Sequence, residues 1–173
     1  CANVKGMLNE DAVKSGNIIF LTVPFIEQIG TLKKLKEYFK HGAILVDVCN
    51  PIQSGILGEI SHPVLPWYGS AAEQARYYSP KHVAVVSVFK NVRASHLQDL
   101  AMDLEYDVFV CSDDEKAKKR IIELIKKIPN LRAIDFGPLK NSRLVEELVA
   151  LMLYIEVNYN TREHWKLRLK GLR

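Results

Sequence analysis

Asp107-Val108-Phe109-Val110-Cys111-Ser112-Asp113-Asp114-Glu115, followed by Leu131-Arg132-Ala133-Ile134-Asp135-Phe136-Gly137-Pro138-Leu139, is the stretch that decides the fold. Each run has strand length and ends in a polar turn. Between them a helical pattern continues to about Lys127, with Ile121, Ile122, Leu124 and Ile125 on its apolar side. Ser112-Asp113-Asp114-Glu115 supplies an acidic helix start, which suits the positive end of a helix dipole. Strand, helix, strand in that order is the unit of a parallel sheet. Gly137-Pro138-Leu139 then turns the chain into a long helix from about Ser142 to Tyr159. The tail from Trp165 to Leu172 alternates in part and reads as a short strand.

The same alternation extends back toward the amino terminus. His82 to Ser87 reads as a strand and Ala94 to Leu100 as a short helix. Ser70 to Tyr77 reads as a helix carrying Ala71, Ala72 and Ala75. Ala43 to Val48 is a strand that Pro51 ends. Pro24 begins an amphipathic helix to about Lys40, with Ile26, Ile29, Leu32, Leu35 and Phe39 at helical spacing and His41-Gly42 closing it. Ile18 to Thr22 is a continuous apolar run, the pattern of a strand buried on both faces. Asn9 is expected to cap a helix through Val13 that stops at Gly16, and Val4-Lys5-Gly6 to end a short strand. Residues 49–66 hold Gly55, Gly58, Pro63 and Pro66 and read as a long loop of the kind that often carries function. The expected class is α/β: a Rossmann-like, mainly parallel sheet with helices on both faces, in one domain over residues 1–173.

Of the 173 residues, 48% are hydrophobic and 25% charged, ordinary values for a globular chain. No apolar run reaches the roughly 18 residues of a membrane span, so no membrane partner is expected. Cys1, Cys49 and Cys111 are widely spaced, which argues against a disulfide framework or a zinc site and for a reducing cytoplasm. The net charge of +4 comes from lysines on expected helix faces, many interleaved with glutamates. Solvated helix surfaces account for them better than a nucleic-acid surface, since no stacking aromatics accompany them. The nine glycines form no G-x-G-x-x-G or phosphate-loop pattern, and the chain opens on Cys1 within an apparent strand-helix unit. The expectation is that the amino-terminal part of the fold is missing.

In open α/β sheets, ligands lie beyond the carboxyl ends of the strands. That rule selects Thr22, Val23, Pro24 and Phe25 after one strand, Asn50 and Pro51 after the next, and Phe89, Lys90, Asn91 and Val92 after a third. Each has a plainer reading: Pro24 as a helix-first proline, Asn50-Pro51 as a turn, Lys90 as a surface lysine. Gly137 and Pro138 are expected to shape the start of the last helix, and Arg143 to meet solvent, a partner subunit or a cofactor. The five histidines are not spaced as metal pairs and are expected in surface or loop roles. Cys111 reads as a small buried apolar side chain.

The chain resembles the NADPH-dependent reductases of the 5-deazaflavin coenzyme F420, a group to which the metalloreductase domains of six-transmembrane epithelial antigens are related. The likeness rests on Leu21-Thr22-Val23-Pro24-Phe25, Ile44-Leu45-Val46-Asp47-Val48, Gly69-Ser70-Ala71-Ala72-Glu73, Phe89-Lys90-Asn91-Val92-Arg93-Ala94, and the runs Asp107 to Glu115 and Leu131 to Glu146. It implies hydride transfer between NADP and coenzyme F420, with the ten strand-end residues above as cofactor contacts, no catalytic side chain, and a homodimer. In the family the glycine-rich loop belongs to the first βαβ unit. Lys90 stands where the family often has His or Asn, Arg93 where it has a small residue or proline, and Cys49-Asn50-Pro51 in place of an apolar stretch. Two other readings remain: a non-catalytic scaffold that binds a protein partner, and a related NADPH reductase with a flavin or metal-chelate acceptor. An apolar sheet edge left open would favour association.

Overall fold

A computed structural model describes residues 4–53, 62–98, 104–160 and 166–171. Three parallel strands form its centre in the order β1 (Ile18–Leu21), β2 (Ile44–Asp47), β5 (Ala84–Ser87). Register runs Ile18 to Ile44 to Ala84 and ends Leu21 to Asp47 to Ser87, so the three carboxyl ends lie level. β6 (Tyr106–Val110) and β7 (Leu131–Asp135) form a second parallel pair. Ser87 and Cys111 join the two sheets through one antiparallel bridge, each donating its N–H to the other's carbonyl, at 2.9 and 3.0 Å. Between β2 and β5, β3 (Ile52–Gln53) and β4 (His62–Pro63) make a two-residue antiparallel ribbon within what the sequence presents as a loop.

Side-chain alternation along the strands sorts the core into two layers. Leu21, Leu45 and Val85 face α2 (Phe25–Leu35) and α3 (Ala71–Tyr78), with Val13 of α1 (Asn9–Ser15) completing that layer. Ile44, Val46 and Val86 face the other way, onto Ile121 and Ile125 of α5 (Glu115–Ile125) and onto Tyr106, Val108 and Val110 of β6. Helices therefore cover both faces. α6 (Ser142–Tyr159) closes over Phe109 and Cys111 through Val145. α4 (Ala94–Gln98) is a short turn of helix after β5.

Helix ends follow local chemistry. Ser70 accepts from the Glu73 N–H and Asp114 from the Ala117 N–H, each capping its helix. Asn9 does not cap α1, whose N-cap position is Leu8, although Gly16 stops that helix as expected. Gly137, at φ +82°, turns the chain toward the 3-10 turn Leu139–Asn141 and α6.

Several expectations change. β1 is not buried on both faces: Phe20 is 42% exposed, because β1 has a hydrogen-bonded neighbour on one side only among the described residues. Residues 4–6 form no strand. Residues 166–171 form none either, though Leu167 accepts the Asp107 N–H at 2.8 Å; Trp165 and Leu172 lie outside the described residues. So do Asp99, Leu100, Gly55, Gly58 and His164. Lys118 is not on a solvated helix face. It is buried and paired with Glu115 at 2.7 Å and Asp135 at 3.1 Å. His96 is a core residue whose ring nitrogen lies 2.7 Å from the Tyr106 hydroxyl.

Candidate functional site

Because the three central strands end level, the segments that follow them are thrown together. The Cys49 thiol donates to the Val23 carbonyl at 3.2 Å, tying the end of β2 to the end of β1. The Asn50 amide donates to the Lys90 carbonyl at 2.8 Å, tying β2 to β5. Phe89 adopts φ +59°, the left-handed region that a bulky side chain rarely enters, and its ring lies 6.3 Å from that of Phe20. That backbone reversal aims Lys90 inward.

Lys90 is buried, not a surface lysine. Its ammonium donates to Asp47 Oδ2 at 2.8 Å and to the Cys49 carbonyl, and forms an ion pair with Glu146 Oε1 at 2.9 Å. Gln28 of α2 donates to Asp47 Oδ1 at 2.8 Å and to the Ala71 carbonyl at 3.1 Å. Gln74 of α3 donates to Gln28 at 2.8 Å, and Glu146 Oε2 accepts the Ala71 N–H at 3.0 Å. One buried network thus joins α2, α3, α6 and the ends of β2 and β5.

Burial works to strip the charge from Lys90, but the carboxylates of Asp47 and Glu146 prevail and hold its pKa above the ordinary lysine value. Two carboxylates around one ammonium leave an excess negative charge. Burial, with Asp47 nearby, keeps the Glu146 pKa raised despite the Lys90 ammonium. Burial and Asp47 push the Cys49 thiol far up, and burial raises Cys111 to about 11, so neither is an activated nucleophile.

Beside this network lies a cleft of about 200 Å³. Asn50, Lys90, Asn91 and Arg93 form its polar side, and Ile52, Val92, Val149, Met152 and Leu153 its apolar walls. Arg93 and Glu156 of α6 form an ion pair at the same cleft. An ordinary small-molecule pocket starts near about 300 Å³, so this one suits a ring rather than a whole dinucleotide. Asn91 donates to the Asp107 carbonyl at 2.8 Å. The side-chain oxygens of Asn50 and Asn91 are buried and accept no hydrogen bond.

Of the strand-end residues singled out by sequence, Asn50, Lys90, Asn91 and Val92 line this cleft together. Thr22 and Pro24 are exposed at the neighbouring strand end, while Val23 and Phe25 pack against the core. Pro51 faces a separate recess with Pro63, Pro66 and Arg143. Arg143 pairs with Glu147 at 2.8 Å on the outside of α6. A further recess of about 250 Å³ lies at the opposite, amino ends of β2 and β5, beside Ala43, His82 and Lys116.

Sequence reasoning missed Asp47, Glu146 and Gln28. Asp47 ends a strand that is otherwise wholly apolar, and a charge in that position needs a buried partner. Glu146 falls on the buried side of α6, in helical step with Ser142, Val145, Val149 and Ala150.

No family model matches the chain. The F420-dependent NADP reductase of Methanocaldococcus jannaschii is 35% identical over 161 residues, 93% of this chain and 71% of that protein. The F420-dependent NADP reductase of Methanothermobacter marburgensis is 35% identical over 160 residues, with 92% and 71% covered. A solved Arthrobacter protein, named for F420-dependent NADP reduction, superposes with a TM-score of 0.76 at 21% identity, over 92% of this chain and 72% of its own.

Proposed function

The chain belongs to the family of F420-dependent NADP reductases, and we propose that it serves hydride transfer between NADPH and coenzyme F420 at the carboxyl ends of β1, β2 and β5. The two cofactors supply the redox chemistry, and the protein's work is to hold two rings face to face at reacting distance. The observation that carries the reading is the convergence of the ends of β2 and β5 with α6 on one cleft.

The residues present fit such a ring. Ile52, Val92, Met152 and Leu153 offer apolar contact to its faces, and two unpartnered carboxamide oxygens offer polar anchors at its rim. Asn50, Phe89, Asn91 and Val92 form the platform. Lys90 acts from behind it, since its buried ammonium is held by Asp47, Glu146 and Cys49. Thr22, Val23, Pro24 and Phe25 contact the dinucleotide at the adjoining strand end, and Pro51 borders it. Residues 1–173 act as one domain. The partners are the two cofactors and a second copy of the chain, not nucleic acid or a membrane, and the second copy packs on the outer side of α6 through Leu144, Leu151 and Val157, all more than half exposed. Buried free thiols at Cys49 and Cys111 favour the cytoplasm. No helix among the described residues is long and apolar enough to cross a membrane.

The test is NADPH-dependent loss of the oxidised deazaflavin absorbance. It is run on this chain and on a fusion that places the first βαβ unit of a family member ahead of it. Turnover by the fusion is the expected result. A fusion that binds NADPH yet leaves F420 oxidised would point to another acceptor and overturn the reading.

A further inference from the structure

We propose that Asn50 and Asn91 form a two-acceptor clamp that selects the ring entering the α6 cleft by an N–H edge. The inference rests on the cofactor chemistry proposed above and assigns the atoms that discriminate. Both side chains line the cleft. Their amide nitrogens are already committed, Asn50 to the Lys90 carbonyl and Asn91 to the Asp107 carbonyl, each at 2.8 Å. A backbone carbonyl only accepts, so neither amide can be flipped without losing its anchor. The two oxygens are therefore fixed as acceptors, and both are buried without a donor.

Asn91 is only 6% exposed, and a buried unpartnered acceptor calls for a physical reason. A ligand donor is that reason here, because the facing wall of Ile52, Val92, Val149, Met152 and Leu153 is apolar, Arg93 at the cleft is engaged by Glu156, and the cleft has the size of one ring. The Lys90 network fixes the clamp from behind: the residue whose carbonyl holds Asn50 is itself held by Asp47, Glu146 and Cys49. The oxygens are covered in the free chain, so a ring reaches them by displacing a wall side chain.

The matching chemistry is a flat ring bearing N–H donors on one edge. It has two sources here: the primary carboxamide of nicotinamide, whose two N–H groups can meet both oxygens, and the imide of the deazaflavin, whose single N–H can meet one of them. The experiment compares nicotinamide with 3-acetylpyridine, in which methyl replaces NH2, and the free 5-deazaflavin ring system with its N3-methyl derivative. Binding to the whole chain is followed through the side-chain amide signals in 1H–15N spectra. In at least one pair the donor-bearing ring should bind about tenfold more tightly and shift the Asn50 and Asn91 amide signals. The pair that discriminates names the ring. In Asn50→Ala the preference should shrink toward parity.

Equal affinities within both pairs, absence of binding by all four probes, or binding that leaves both amides unmoved would overturn the clamp. Discrimination without hydride transfer keeps the clamp and loses the proposed reaction. Hydride transfer without discrimination does the reverse.

Discussion

Among the described residues two aspartates, Asp47 and Asp107, are buried, and their surroundings differ in a telling way. Asp107 takes the Arg132 guanidinium side-on at 2.8 and 2.7 Å, accepts the Leu169 N–H at 2.6 Å, and has Arg168 at 3.7 Å. Its charge is answered in full, partly by groups that still reach water. Asp47 shares one buried ammonium with a second carboxylate, Glu146, and has no exposed partner among the described residues. The first arrangement staples a tail to a strand. The second leaves charge in excess and unpartnered acceptors next to an apolar cleft. Electrostatic frustration gathers where strand ends meet and where a ligand is expected, while the purely structural contact is balanced.

The largest expected effect comes from removing the shared cation. Lys90→Met leaves two carboxylates facing each other in the core and should cost about 3–5 kcal/mol of unfolding free energy, read from urea denaturation. Adding Glu146→Gln to Lys90→Met should restore part of that loss. A Lys90→Met chain as stable as the parent would show that the cluster does not hold the strand ends.

Smaller effects appear as pH dependence, with opposite signs in the two regions. Burial works against the Asp107 charge, but the Arg132 fork and the Leu169 N–H hold its carboxyl below the ordinary range. Its stabilisation is present above about pH 3.9 and is lost as pH falls through the lower folded value. Glu146 is raised by burial, so its contribution is full below about pH 4.3 and is lost as pH rises through the folded value. Urea midpoints against pH should therefore flatten on the acid side in Asp107→Asn and on the rising side in Glu146→Gln. Identical flattening in both variants would erase the distinction between the regions. Smallest of all is Arg143→Ala, which breaks an exposed pair on α6 and should move stability by no more than about 0.5 kcal/mol in the same denaturation experiment.

Much of the fold was legible because its signals are local. β7 and α6 run over the residues their periodicity marks, Leu131–Asp135 and Ser142–Tyr159. The three strand-end segments were found by the position of apolar runs alone. The positions that misled depend on tertiary neighbours. Phe20 reads as core, but β1 lacks a second neighbour among the described residues. Lys118 reads as a lysine on a solvated helix face and Lys90 as a cofactor contact at a strand end, with a surface lysine as its plainer reading, yet carboxylates distant in sequence, Asp135 for one and Asp47 and Glu146 for the other, draw them inside. Glu146 carried a usable signal, a charge on the buried side of an amphipathic helix. The bond from Asn50 to Lys90 carried none, since nothing local says which carbonyl an asparagine will meet.

The most direct test of the central claim is to titrate the 15N-labelled chain with coenzyme F420 and with NADPH and to map the backbone shifts. The account predicts that shifts gather at Asn50, Lys90 to Val92 and Val149 to Glu156, with few at Ala43, His82 or Lys116 in the recess at the opposite strand ends. Shifts concentrated in that opposite recess, with the α6 cleft silent, would contradict it.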